Sequence, residues 1–209
     1  LILSMTSLSK KGMTHLVALR KLGLCVVNLE PQMSDQKPVD QSRQMTPEEA
    51  ADFAEQVFNK AREGDAAMLA ALLSKGLPAN LRNHKGDTLL MLASYHGHVD
   101  AVKVLLEHQA DPEMRNDNGQ SPIAGAAFKG DLAMTKTLVE GGANVEGASA
   151  DGRTALMMAA MFNRTEIIKY LVSKGADPKA KDANGITALD AAKTMGATQS
   201  IALLDELLG

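Results

Sequence analysis

Tryptophan is absent from this chain of 209 residues, and cysteine occurs once, as Cys25. A lone thiol excludes an intrachain disulfide and a zinc site built on cysteines, which fits a reducing compartment. With two tyrosines and four phenylalanines as the only aromatics, a core has to be close-packed from small and aliphatic side chains, and the abundant alanine and leucine favour helices for that purpose. Dense Lys/Arg clusters are missing, and a net charge of −3 lacks the electrostatic footprint of a nucleic-acid binder. Missing too is any uncharged apolar run near the roughly 18 residues of a membrane span. The best stretch for targeting, "ALRKLGLCVVNLE", sets Arg20 and Lys21 before a short apolar run. Asn28 and Glu30 cut it off, and Leu24 before Cys25 fits a lipoprotein processing site poorly. These absences predict a cytoplasmic protein, monomeric on its own, with no membrane or nucleic acid among its partners.

What the chain does have is a period. Gly86, Gly119, Gly152 and Gly185 follow one another at intervals of 33 residues. Two residues after each comes Thr88, Ser121, Thr154 or Thr187, and seven after each comes Ala93, Ala126, Ala159 or Ala192. The register continues through Gly97, Gly130, Asn163 and Gly196 and through Leu105, Leu138, Leu171 and Leu204. The first three units close on Gln109-Ala110-Asp111, Gly142-Ala143-Asn144 and Gly175-Ala176-Asp177. A glycine can take the positive φ of a tight turn, and the hydroxyl two residues later can cap the free N–H groups of a helix. Leu156, Ala159 and Ala160 then share one helical face, which needs a neighbouring unit to cover it.

This spaced constellation, best kept in "DGRTALMMAAMFNRTEIIKYLVSKGADPKAK", resembles the ankyrin repeat. The resemblance implies an all-α solenoid of stacked helix-turn-helix units with short β-hairpin turns, about five repeats including the caps. Residues 46–209 divide accordingly into 46–82, 83–115, 116–148, 149–181 and 182–209. At the start, Thr46, Pro47 and Glu49 predict a capped helix whose buried stripe is Phe53, Val57, Phe58 and Ala61. At the end, Lys193 and Asp205 stand where interior units carry small or aliphatic residues, so both are expected in solvent. Gln109 stands where Gly76, Gly142 and Gly175 do, and should therefore be left-handed. The family's Thr-Pro-Leu-His core is loosely kept, with Met91, Ala124, Met157 and Asp190 in the histidine place. Residues 1–45 match nothing in the repeat. The polar residues 33–45 are expected to be flexible, and translation starting at Met33 is one expectation for the first 32.

The resemblance also implies a concave face formed by the hairpin tips and the ends of the first helices. The helix-end positions read Tyr95-His96, Phe128-Lys129, Met161-Phe162 and Thr194-Met195, which gathers three of the six aromatics. Two readings stay open: an apolar stripe that a partner packs against, or rings that only fill space between units. On the first, Tyr95, His96, Phe128, Lys129, Met161, Phe162 and Met195 contact a partner protein. The tips His84, Lys85, Asp87, Asp117, Asn118, Gln120, Asp151 and Arg153 then set its orientation. His84, His96, His98 and His108 crowd one unit without the spacing of a ligand set, so no metal is expected. No Gly-rich phosphate loop and no Gly-x-Ser-x-Gly is present, so no catalytic residue and no cofactor are expected either. The function implied is a non-enzymatic protein-binding adaptor. The alternatives are a dedicated inhibitor, immunity or protective partner of one enzyme, such as a toxin or an oxidative-stress enzyme, and a secreted effector.

Overall fold

The computed structural model describes residues 46–209. The readings made above for residues 1–45 lie outside them. Ten helices follow in chain order: α1 (Pro47–Glu63), α2 (Ala66–Ser74), α3 (Leu89–Tyr95), α4 (Val99–Glu107), α5 (Pro122–Lys129), α6 (Leu132–Glu140), α7 (Ala155–Met161), α8 (Thr165–Ser173), α9 (Ala188–Met195) and α10 (Thr198–Leu208). No strand occurs among the described residues. The hairpin turns narrow to isolated bridges, Arg82 with Thr88 and Ala148 with Thr154. No described helix is long and apolar enough to cross a membrane.

Each odd-numbered helix starts on a hydroxyl. Thr46, Thr88, Ser121, Thr154 and Thr187 accept from the backbone N–H three residues on, at 3.2, 3.1, 3.4, 3.3 and 3.2 Å. Thr46 and Glu49 complete a capping box, as do Thr187 and Asp190. Asp65 and Asp131 cap α2 and α6. Helices of seven to nine residues are too short to persist alone, so tertiary packing must hold them.

That packing runs strictly between neighbours. The inner row stacks α1, α3, α5, α7 and α9 in series, and the outer row does the same with α2, α4, α6, α8 and α10. Ala93, Ala126, Ala159 and Ala192 are buried in the inner row, where a bare methyl lets adjacent helices approach. Leu105, Leu138, Leu171 and Leu204 are fully buried in the outer row. Lys193 and Asp205 are exposed, as the pattern predicts.

The turns are joined by a polar ladder that reaches from one unit to the next. Asp111 N–H donates to Asn80 Oδ1 at 2.8 Å, Asn144 N–H to Glu113 Oε1 at 2.9 Å, and Asp177 N–H to Glu146 Oε1 at 2.6 Å. At the hairpins, Asp117 N–H donates to Lys85 O and Ala183 N–H to Asp151 O. His98 extends the joints to the first pair of helices, its Nε2 2.7 Å from Arg62 O and its ring against Gly64. Arg164 makes the equivalent approach over Gly130 and reaches Phe128 O at 3.5 Å.

Gln109 and Asn163 are the two non-glycine residues with positive φ among those described, at 65° and 56°. They differ in what the side chain does. Asn163 Oδ1 accepts from Ser200 N–H at 3.0 Å, supplying a cap that Ala197 cannot give α10. Gln109 is exposed. Gln109→Gly should therefore raise stability by about 1 kcal/mol, whereas Asn163→Gly should not, because it removes that bond. Urea unfolding of the two variants tests the contrast, and equal gains would contradict it.

Candidate functional site

The inner helices and the hairpins enclose a cleft of about 620 Å³ across the middle of the array. Its floor comes from the first helices of three successive units: Met91 and Leu92 of α3, Ala124 and Gly125 of α5, and Met158 of α7. Tyr95 and Phe128 stand at one side. Asp87, Asn116, Asn118, Gln120, Ser149, Asp151 and Arg153 form the hairpin side.

Tyr95 is 48% exposed and Phe128 38%. Lys129 places its Nζ 4.6 Å from the centre of the Tyr95 ring, a cation–π contact that ties the ends of α3 and α5 together. His96 meets the Tyr95 ring edge-on at 5.7 Å and stacks on His98 at 6.3 Å. Burial pushes the His96 imidazole below its ordinary value, and His98, Lys129 and Arg62 act in the same direction. Phe162 meets Phe128 edge to face at 4.8 Å and is half-buried, as is Met161. Of the two readings of the aromatic stripe, Tyr95 and Phe128 fit the exposed one, and Phe162 fits the space-filling one.

The hairpin side is preorganised. Asn83 and Asn116 each accept two backbone N–H bonds within their own turns, and Asp182 does so in the last turn. Asn116 Nδ2 also donates to Gln120 Oε1 at 3.0 Å and to Asp87 Oδ1 at 2.9 Å, which locks neighbouring turns together. The Ser149 hydroxyl donates to Asp151, and Arg153 Nε lies 3.2 Å from the other carboxylate oxygen. The bond from Ser149 is the main reason that the Asp151 carboxyl sits below its ordinary value, and Arg153 adds to it.

The cleft brings together Asp87, Tyr95, His96, Asn118, Gln120, Phe128, Asp151 and Arg153 of the residues picked out in the sequence. His84, Lys85 and Asp117 lie outside its lining on exposed tips, Asp117 within 3.3 Å of Arg82. Lys129, Met161, Phe162 and Met195 also fall outside the lining, and Met195 is 50% exposed at the far end of the row. Among the lining residues missed were Leu92, Gly125 and Met158 of the floor. They lie one turn before Tyr95, Phe128 and Met161, so carrying the i, i+3 spacing one step back along each inner helix would have found them. No cluster of three possible metal ligands occurs among the described residues. His98 and His108 are engaged with the Arg62 and Val104 carbonyls.

A family model for ankyrin repeats in three copies matches residues 57–148 and again 123–206, together well over half of the chain. The chain belongs to the ankyrin repeat family. An ankyrin repeat protein of Pseudomonas aeruginosa is 59% identical over 56 residues, 27% of this chain and 33% of that protein. Human ankyrin repeat domain-containing protein 29 is 42% identical over 60 residues, 28% of this chain and 20% of its own length. Mouse BRCA1-associated RING domain protein 1 is 50% identical over 40 residues, 19% of this chain and 5% of that protein. The chain thus spans a third or less of the length of these relatives. Ankyrin repeats of this kind imply a protein–protein interaction module.

Proposed function

We propose that the chain is a non-catalytic adaptor that binds a partner protein in the cleft between its inner helices and hairpins, with residues 83–115, 116–148 and 149–181 as the units that shape it. The observation that carries this reading is the pair of aromatic rings, Tyr95 and Phe128, left 48% and 38% exposed at the cleft in a chain with few aromatics. Large rings held by their own neighbours lose little freedom when a partner covers them, which is why such side chains dominate binding energy. The hydrogen-bonded hairpins opposite would fix the partner's orientation without reorganising.

Affinity purification with mass spectrometry tests it, comparing the wild type with a Tyr95→Ala, Phe128→Ala double variant. The wild type should retain one or a few proteins stoichiometrically, and the variant, with an unchanged helical circular dichroism spectrum, should lose at least about 90% of them, in line with hot-spot side chains of this type. Equal recovery by both would rule the cleft out.

A further inference from the structure

Gly125 is the starting point. It sits inside α5, where glycine costs about 1 kcal/mol relative to alanine, and its φ is not left-handed. A Cβ built on it meets nothing within 4 Å, so neither the backbone nor a neighbour demands a glycine there. The flanking units place Leu92 and Met158 at the same position of the 33-residue register, and Ala124 stands between Met91 and Met157. The middle unit therefore leaves a notch in the floor of the cleft, walled by apolar side chains.

The charge around the notch is uneven. One hairpin position reads Asp87, Gln120 and Arg153 in the three units. Arg153 is engaged by Asp151, and nearby Arg82 lies 3.3 Å from Asp117. Asp87, in contrast, is held by neutral amides, Asn116 Nδ2 at 2.9 Å and Asn83 Nδ2 at 3.2 Å. Lys129 covers Tyr95 at the other end of α3, whose seven residues span about 10 Å at 1.5 Å per residue, and Asp87 lies beyond its first turn. That exceeds the Debye length of about 8 Å in physiological salt, too far to neutralise the carboxylate. The charged side chains that line the cleft, Asp87, Asp151 and Arg153, leave a negative balance on its hairpin side.

We propose that the cleft takes an extended basic peptide segment of the partner protein, which seats one long apolar side chain over Ala124 and Gly125 and sets a lysine or arginine against Asp87. The proposal rests on the cleft being the binding face and names the partner's chemistry there. The apolar side chain gains the burial that Gly125 leaves open. The cation gains a carboxylate already aimed by two amides.

Three pools of synthetic 11-residue peptides test it, each with a central leucine, methionine or phenylalanine, flanked by Lys/Arg, by Ser/Asn or by Asp/Glu. Titration into the isotope-labelled full chain, followed by amide chemical shifts, should show the basic pool binding at least tenfold more tightly than the acidic one. The amides of Asp87, Ala124 and Gly125 should move. Gly125→Leu should weaken the basic pool at least tenfold without lowering the melting temperature, because leucine suits a helix and has room. Gly125→Ala is the milder variant should leucine disturb α5, and it should weaken the pool by a smaller factor. Asp87→Asn should reduce the preference for the basic over the neutral pool to twofold or less. Equal binding of the acidic pool, or an unchanged affinity in folded Gly125→Leu, overturns the proposal while the Tyr95, Phe128 experiment still decides the cleft itself. No shift with any pool overturns it as well.

Discussion

Leu138→Ala should lower the unfolding free energy by about 2–5 kcal/mol, the range for emptying a fully enclosed leucine site. Leu138 has no exposed surface and lies in α6, which packs on α5 within its unit and on α4 and α8 of the two neighbouring units. The cavity would therefore open in the middle of the array, where collapse from either side would disturb a second joint. For a domain of this size each kcal/mol corresponds to roughly 2–4 °C in melting temperature, so a fall of roughly 10 °C is expected. Because a stacked array holds together through nearest-neighbour contacts, a weak central joint should also let the two halves unfold separately. Urea unfolding followed by circular dichroism should then show a shallower transition as well as an earlier midpoint. A shift below 2 °C with an unchanged slope would show that α6 is not a coupling element.

The second large effect concerns Gly152, which lies in the third hairpin turn with φ of 81°. A methyl group there would lie 2.9 Å from Ala183 N and 3.1 Å from Asp182 Cα. Both are backbone atoms of the next turn, fixed by the Ala183 N–H to Asp151 O bond and by the two bonds that Asp182 Oδ1 accepts. Gly152→Ala therefore combines a left-handed penalty of about 1–2 kcal/mol with displacement of the final hairpin, about 2–4 kcal/mol together. Gly185 is the internal control, since its φ of 78° is nearly the same but a methyl group there meets nothing within 4 Å. Gly185→Ala should cost only the left-handed part. Equal losses in the two variants on thermal unfolding would mean that contact between turns contributes nothing.

Much of this architecture is legible in the sequence because a 33-residue register fixes each residue's place within its unit. Thr88, Ser121, Thr154 and Thr187 read as helix starts from spacing alone, and Gln109 reads as left-handed because three glycines share its place. Contacts between units are less legible, since they depend on the rise and rotation from one unit to the next. Asn163 illustrates the limit: its backbone conformation follows from the register, whereas its bond to Ser200 N–H depends on how the final unit sits. The same holds for Asn116 reaching Asp87 and for Lys129 over Tyr95. At the cleft, the exposed tips were legible because turn residues must be polar, but Gly125 marks the floor by a missing side chain.

The polar ladder between turns has a directional consequence. Asn80, Glu113 and Glu146 each accept from the backbone of the following unit, and Asp111, Asn144 and Asp177 each donate to the preceding one. The two units 83–115 and 116–148 thus each have a leading and a trailing connector of opposite hydrogen-bonding sense. A tandem duplicate of residues 116–148 would present matching connectors to both neighbours. An insertion of another length would set donor and acceptor out of register, so the ladder is kept only when whole units are added head to tail.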